Sequence, residues 1–497
     1  MVHLSHVENG GHPAAAAAEP PCVMVIFGAS GDLTRRKLVP ALYALEHDGL
    51  LPREFVIVGF GRSDMDDARF RAEMREAVAG VASGPVAQGS AWERFAGRLH
   101  YVTGRYDDAE ALRLLHRHLP KWAGDCAVLR HLYYFALPPS VTEALLLQMR
   151  AAGLGVEHWR TAPPRVMLEK PFGLDLASAQ RLNHIVAEMF GEPQVYRIDH
   201  FLAKDTVRNL LAFRFANTIF EPVWNHHYVN SLQITVAEDE GVGKRGAYYD
   251  EAGVVRDMVQ NHVLQVLALV AMEPPVAGDA ESIRDRRQDV FRSLGPIARG
   301  DFVFGQYRGY RGERYVNPRS TTPTFVALRL YLNNWRWQGV PFYIRAGKCL
   351  PRKLTEVVIQ FKNVPLCVLD SVESCRGVAP NVLTLRLQPD EGIRMSLCAQ
   401  VPGRGEALRL VNLDFRYADL GVEMRNAYER VLLDCLRGVP TLFARADHVE
   451  TCWRAMAPLL EVVPEEVSGP FPNYEPGTWG PPQAEDLLRR DGHSWQV

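Results

Sequence analysis

The sequence predicts an α/β domain with a doubly wound parallel sheet, followed by a larger α+β domain with an antiparallel sheet. Three observations carry that expectation. At 497 residues the chain exceeds what one ordinary core accommodates, so more than one domain is expected. From residue 21 to about 198, short apolar runs alternate with helical stretches, the pattern of strands joined by crossover helices. Beyond about 198 the rhythm changes to long strand-like runs with few helices between them. The expected division is a disordered tail over 1–20, a first domain over 21–198 and a second over 199–497.

The first run, Val23-Met24-Val25-Ile26-Phe27, is apolar at every position, as a strand covered on both faces must be. A helical stretch follows to about Glu46, and Phe55-Val56-Ile57-Val58 supplies the next strand. Leu132-Tyr133-Tyr134-Phe135-Ala136-Leu137 and Arg165-Val166-Met167-Leu168-Glu169 continue the series, each after a helical stretch, so the sheet is parallel and Rossmann-like. In the second half, helices are expected near 204–216 and 250–272, and strands at 324–332 and 355–361. Residues 382–387 and 393–399 flank Pro389-Asp390-Glu391-Gly392, a turn composition that predicts a hairpin. Helical patterns return at 424–437 and 446–462, and the Pro/Gly-rich segment 470–482 is expected to run over the surface.

Hydrophobic residues at 47%, charged residues at 23% and a formal net charge of -2 describe an ordinary globular protein without the basic excess that nucleic-acid binding requires. The eight cysteines are scattered, with no CxxC pair and no zinc-ligand spacing, so they read as thiols of a reducing compartment and imply no metal. Residues 1–20 carry an alanine run, Ala14 to Ala18, but no Lys or Arg before it and no long apolar core, so no secretory signal is expected there. The longest apolar stretch, near residue 266, is far short of the roughly 20 residues a bilayer needs, which makes the expected location cytoplasmic.

Gly28-Ala29-Ser30-Gly31-Asp32-Leu33 follows the first strand directly and opens the first helix, where the free N–H groups of a helix N-terminus can meet a pyrophosphate. Its spacing is neither GxGxxG nor a P-loop, and a tight glycine turn without a ligand accounts for the same residues. The end of the second strand, Gly59-Phe60-Gly61-Arg62-Ser63, lacks the Asp or Glu that would hold the ribose hydroxyl of NAD. Arg62 can instead fork onto a 2′-phosphate, or stay a solvated loop arginine. Arg35 and Arg36, on the first helical turns, suit a solvated face better than a phosphate. Glu169-Lys170-Pro171-Phe172-Gly173 closes another strand at the carboxyl edge where ligands sit, so Lys170 is placed to touch cofactor and substrate together.

Arg197-Ile198-Asp199-His200-Phe201-Leu202-Ala203-Lys204 gathers an acid, an imidazole and an ammonium where the first domain is expected to end, a natural lining for a cleft. Arg256-Asp257-Met258-Val259-Gln260-Asn261-His262 lies in the helix that runs to Met272. At 3.6 residues per turn, a spacing of five leaves Asp257 and His262 roughly 140° apart, so His262 needs a partner from elsewhere. On so apolar a helix, His262 reads first as a satisfied core residue and only second as a base.

Together, GASGDL, EKPFG, RIDHFLAK, RDMVQNH and Arg345-Ala346-Gly347-Lys348 resemble, in order and approximate spacing, the motifs of glucose-6-phosphate dehydrogenases. The resemblance runs from about Val23 to Tyr474-Glu475-Pro476-Gly477-Thr478-Trp479-Gly480. It implies an NADP-dependent enzyme that oxidises D-glucose 6-phosphate to 6-phospho-D-glucono-1,5-lactone, the first step of the oxidative pentose phosphate pathway. It also implies a homodimer or homotetramer joined through the antiparallel sheet, with dinucleotide binding in 21–198 and substrate binding in 199–497. By the same resemblance His262 is the base for the C1 hydroxyl, oriented and made more basic by Asp199. His200 and Lys204 match ligands of the 6-phosphate, and Glu238, Asp257 and Lys348 match ligands of the sugar hydroxyls. Lys170 is shared by substrate and coenzyme, while Gly28, Ser30, Gly31, Asp32, Leu33 and Arg62 belong to the coenzyme. The basic residue after Lys348 is Lys353 or Arg352, and the spacing does not choose between them.

The chain departs from the commonest family pattern at Phe201, where a tyrosine often donates to the phosphate, and at Ala203, Asp205 and Lys244, which stand for glycine, glutamate and an acidic residue. Two rival readings remain: an oxidoreductase of an unphosphorylated aldose, and a non-catalytic dinucleotide sensor. His200 with Lys204 argues against the first, because a neutral sugar gives them nothing charged to hold. Asp199, His262 and Lys170 together argue against the second.

Overall fold

Strand β1, Cys22–Phe27, is buried at every residue, which follows from its uninterrupted apolar sequence and its place inside a parallel sheet. It belongs to a computed structural model that describes residues 22–81, 88–123, 129–152, 154, 163–366, 378–402, 408–421 and 425–496. Five further strands, β2 (Phe55–Gly61), β3 (Leu99–Thr103), β4 (Arg130–Phe135), β5 (Arg165–Leu168) and β6 (Val195–Arg197), complete a six-stranded sheet. Its order is β3-β2-β1-β4-β5-β6, with β1 parallel to both β2 and β4. The order reverses at β1 and β4, so the turns after these two strands open side by side, the switch point at which such sheets bind ligands. Strands β3 and β6 are additions to the expected series. Leu99-His100-Tyr101-Val102-Thr103 is a half-polar edge strand, and β6 is only three residues long.

The second sheet comprises β7 (Val229–Ala237), β8 (Phe302–Gly305), β9 (Phe325–Leu330), β10 (Phe342–Gly347), β11 (Leu354–Phe361), β12 (Val382–Gln388), β13 (Gly392–Gln400) and β14 (Leu408–Arg416). Its order is β14-β13-β12-β11-β7-β10-β9-β8. The sheet is mixed: β7 and β10 run parallel, whereas β9–β10, β7–β11, β11–β12, β12–β13 and β13–β14 are antiparallel. The expected hairpin forms, with Leu385 opposite Ile393 and Arg386 opposite Gly392.

Against this sheet's core lies the segment Val255–Ala271, in which every residue from Asp257 onward is buried. A helix apolar all round must be enclosed, and its last carbonyls then need partners other than water. They have them. The indole N–H of Trp224 donates to Val270 O at 2.8 Å, that of Trp337 to Ala271 O at 2.7 Å, and Arg214 Nη1 to Leu269 O at 3.1 Å. Among the described residues no helix is long and apolar enough to cross a membrane.

Two compact units divide the chain, Met1–Met167 with Leu432–Gly438, and Leu168–Val431 with Val439–Val497. This division differs from the one expected at 198: β6 and the helix Leu176–Ala187 go with the second unit, and a short C-terminal return goes with the first. The segment 470–482 is not a surface coil throughout. Phe471 and Tyr474 are buried, and the Tyr474 phenol donates to Lys348 O at 2.7 Å. Its Pro and Gly residues shape a path that anchors two aromatic rings, a role that composition does not reveal.

Candidate active site

In the first unit, Gly28 sits at φ +89, and a Cβ there would stand 2.3 Å from Ala136 O. Only glycine lets the β1 turn pass so close to the turn after β4. Gly31 N donates back to Gly28 O at 2.9 Å, closing the turn from which the first helix starts. The result is a cavity of about 500 Å³ lined by Gly28, Ser30, Gly31, Arg62, Tyr106 and Leu137 among others. Ser63 Oγ donates to Ser30 Oγ at 3.0 Å, tying the two loops together, and the Arg62 guanidinium lies 5.8 Å from the Tyr106 ring centroid. Asp32 and Leu33 are outside this lining; Asp32 is exposed, with its carboxylate 3.5 Å from Arg36. Arg35 is engaged with Glu73. The cradle fits a dinucleotide: a helix N-terminus, a missing Cβ and a cation at the end of β2 meet where a pyrophosphate and a ribose would lie.

The second unit holds the titratable cluster. Asp199 follows β6 and is buried, and its Oδ1 accepts from Phe201 N at 2.9 Å. His262 Nδ1 lies 2.5 Å from the same oxygen. On the other side of the imidazole, Nε2 is 2.6 Å from Lys170 Nζ. The three side chains therefore form a line from carboxylate to imidazole to ammonium. With Lys170 donating to Nε2, the imidazole carries its proton on Nδ1 and donates it to Asp199. Burial pushes the His262 pKa below its ordinary value, and the Asp199 charge opposes that push without overcoming it. Burial pushes the Asp199 carboxyl up, but His262, with His200 and Lys170, more than compensates and holds it ionised well below the usual carboxylate range.

His262 does take its partner from elsewhere, in Asp199, but the expected separation of roughly 140° between Asp257 and His262 is not found. Val255–Val263 is a π-helix, whose i→i+5 hydrogen bonds wind the chain more widely than an α-helix, so residues five apart come onto one face. Asn261 Nδ2 donates to Arg256 O at 2.9 Å, spanning such a step. Lys170 Nζ consequently reaches both residues, donating to Asp257 Oδ1 and to Asp257 O, each at 3.2 Å. Tyr248 OH also donates to Asp257 Oδ1 at 3.2 Å, with Arg245 Nη2 3.7 Å away. Burial alone would raise the Asp257 carboxyl; Lys170 and Arg245 hold it well below its ordinary value.

Phe201 stacks on His262, with centroids 4.3 Å apart and planes 24° apart, and Lys204 Nζ stands 4.4 Å from the Phe201 centroid. His200 meets His262 edge-on at 4.6 Å. Burial, assisted by the His262 ring and the Lys170 ammonium, drives the His200 pKa well below its ordinary value, so this ring is neutral. Burial also lowers Lys204, to about 8. Asp199, His200 and His262 present ligand atoms within 4.8 Å of one another, a spacing a metal ion would accept, but the Lys170 ammonium beside Nε2 opposes a dication there.

Glu238, at the end of β7, pairs with Lys348, at the end of β10, because those parallel neighbours finish together. With Lys353 they line a pocket of about 240 Å³. Arg352 instead points to Trp479, 6.0 Å from its ring, so the structure separates the two basic residues that spacing left equivalent. Gln388 escaped the sequence reading. Its Oε1 accepts from Lys204 Nζ across 184 residues, and its only signal was its position beside the hairpin turn. Tyr248 and Tyr249 were missed as well; Lys348 Nζ stands 4.9 Å over the Tyr249 ring.

Comparison with known proteins gives a consistent result. Residues 25–209 match the family model described as glucose-6-phosphate dehydrogenase, NAD binding domain, and residues 211–496 match glucose-6-phosphate dehydrogenase, C-terminal domain. The chain is 42% identical to glucose-6-phosphate 1-dehydrogenase of Aggregatibacter actinomycetemcomitans, over 96% of this chain and 97% of that one. It is similar to the crystal structure of glucose-6-phosphate 1-dehydrogenase from Mycobacterium avium, with TM-score 0.83, 38% identity, and coverage of 96% and 98% of the two chains. A solved glucose-6-phosphate dehydrogenase in complex with glucose 6-phosphate superposes with TM-score 0.88 at 32% identity, covering 97% of this chain and 100% of that one.

Proposed function

The chain belongs to the glucose-6-phosphate dehydrogenase family, and from that premise we propose that it oxidises C1 of D-glucose 6-phosphate to 6-phospho-D-glucono-1,5-lactone with NADP⁺. The observation that carries the reading is the line Asp199–His262–Lys170. A bound nicotinamide supplies the hydride acceptor, and the protein's own groups do the rest. His262, neutral and with its Nε2 lone pair facing Lys170, takes the C1 hydroxyl proton as hydride leaves C1. Asp199 holds the ring by Nδ1 and stabilises the imidazolium that forms. The substrate hydroxyl takes the place at Nε2 that Lys170 fills in the free protein, and the displaced ammonium donates to the sugar.

Lys204, with its ammonium held over Phe201, and His200, as an N–H donor, bind the 6-phosphate; the dianion restores the proton affinity that burial takes from Lys204. Glu238, Asp257, Lys348 and Lys353 hold the sugar hydroxyls. Incubating the purified protein with glucose 6-phosphate and NADP⁺ produces reduced nicotinamide absorbance. No turnover with this pair, or equal turnover with glucose, would defeat the proposal.

NADP⁺ preference rests on Arg62, in the cavity wall beside Ser63 with no carboxylate at the end of β2. A charge-assisted fork onto a 2′-phosphate is worth about 1.5–3 kcal/mol, so Arg62→Ala lowers kcat/KM for NADP⁺ by about ten- to a hundredfold and leaves that for NAD⁺ nearly unchanged. Equal losses with both coenzymes in steady-state kinetics would make Arg62 a bystander. Phosphate binding is short of one donor at Phe201. Phe201→Tyr lowers KM for glucose 6-phosphate by up to about fivefold, the value of one net hydrogen bond of about 1 kcal/mol, with kcat held. An unchanged KM would show that the hydroxyl misses the phosphate.

Among the described residues, the free thiols of Cys349, Cys398, Cys435 and Cys452 support a cytoplasmic location. The exposed Leu410 and Leu413 on β14 support a homodimer or homotetramer built on the second sheet. Light scattering on the purified protein reads the assembly, and a monomer would refute it.

A further inference from the structure

Arg287 has no part in the chemistry above, yet its exposure is 0%. It stands on the helix Ala280–Arg292. A buried guanidinium without a carboxylate is costly, and among the described residues none comes within ion-pair distance of it. Its nitrogens are turned instead on neutral acceptors. Nη1 donates to Thr441 O at 3.2 Å and to Phe443 O at 3.5 Å, and Nη2 donates to Gln265 Oε1.

The places of those acceptors give the arrangement a purpose. Gln265 follows His262 by three residues in one continuous helical segment, so the two lie on neighbouring turns. Thr441 and Phe443 belong to the stretch that grips the strand leading to Asp199. Ala444 N donates to Arg197 O at 3.2 Å in an antiparallel bridge, and the Phe443 ring meets Tyr196 edge-on at 4.8 Å. One guanidinium thus fastens the helix that carries the imidazole to the segment that ends in its carboxylate. Asp199 Oδ2 and Arg287 Nε are each buried with no hydrogen-bond partner among the described residues. Burial, with the neighbouring Arg284, pushes the Arg287 pKa down to about 9, and the Asp199 charge acts in the opposite direction.

We propose that Arg287 is a positioning residue of the proton-accepting pair, holding Asp199 and His262 at hydrogen-bond distance by joining Gln265 to the 441–443 stretch. It acts through Asp199 and touches no substrate. The proposal rests on the assignment of Asp199 and His262 as the pair that accepts the proton, and the His262→Asn variant tests that assignment separately.

Arg287→Lys keeps the cation and much of the volume but cannot hold three acceptors in a fork, whereas Arg287→Met removes the cation as well. Because a small misplacement of catalytic groups is expensive in rate, Arg287→Lys lowers kcat about tenfold, with KM for glucose 6-phosphate within about twofold of the parent. Arg287→Met lowers kcat further. The deciding measurement is a double-mutant cycle with Asp199→Asn, with kcat normalised to titrated active sites of folded protein. In the Asp199→Asn background, Arg287→Lys changes kcat less than about twofold, because the group it positions is already disabled. The same loss in both backgrounds, an unchanged kcat in folded Arg287→Lys, or a raised KM with kcat held would overturn the proposal. Should Arg287→Met fail to fold, the Lys variant alone decides.

Discussion

Replacing His262 with asparagine lowers kcat by about 10²–10⁴-fold, the worth of a well-placed general base, while the KM for glucose 6-phosphate stays nearly constant. Asparagine presents an N–H toward Asp199, so the carboxylate keeps a donor, but it has no lone pair of suitable basicity where Nε2 stood 2.6 Å from Lys170. The phosphate and hydroxyl ligands are untouched, and substrate still binds. A packed-core role predicts something different. His262 is buried under Phe201 and His200, and if packing were its whole contribution the variant would unfold at lower temperature, with surviving molecules turning over normally. Active-site titration with thermal unfolding separates the cases, and near-normal kcat in folded His262→Asn would remove the base from the mechanism.

Asp199→Asn is expected to cost less, about 10²-fold in kcat, because the geometry survives. Both hydrogen bonds at this carboxylate, from Phe201 N and His262 Nδ1, fall on Oδ1, which the amide keeps as its carbonyl oxygen. The amide nitrogen then occupies the position of Oδ2, which has no hydrogen-bond partner among the described residues to offend. What disappears is the charge. The carboxylate favours imidazolium over imidazole, so its loss lowers the pKa of His262. The acid limb of kcat/KM, which reports the deprotonation of that base in the free enzyme, therefore moves to lower pH. A limb that stays in place or moves upward would show that Asp199 exerts no electrostatic influence on His262.

How much of this was legible depends on sequence distance and on the winding of one helix. GASGDL could be read because strand, turn and helix are contiguous, and the turn's need for glycine at Gly28 is local. Asp199, His200, Lys204, Asp257, His262 and Lys170 were recognisable one by one as polar residues placed for chemistry, but their meeting was legible only through the family resemblance and not from the spacing. His262 and Asp199 are 63 residues apart and His262 and Lys170 are 92 apart, distances that no periodicity spans. Gln388 looked like an ordinary strand end because nothing in Val382–Gln388 announces Lys204. The separation of Asp257 from His262 was misjudged for a different reason. Hydropathy cannot distinguish a π-turn from an α-turn in a segment whose every face is buried, so the ordinary period was applied where it does not hold. The burial of Tyr474 went unread because Pro and Gly report a path and say nothing of what the path buries.

The wide turn at Val255–Val263 makes the number of residues there as binding as their identity. Inserting one between Asp257 and His262 would set them six apart, and each residue of an α-helix turns the chain by about 100°. Asp257 and His262 could no longer face Lys170 together, although the lengthened helix could stay just as apolar and just as buried. A lineage carrying this gene can therefore gain and lose codons in its connecting loops at little cost. A single in-frame codon gained between Asp257 and His262 would leave a folded protein with its carboxylate and its imidazole facing different ways.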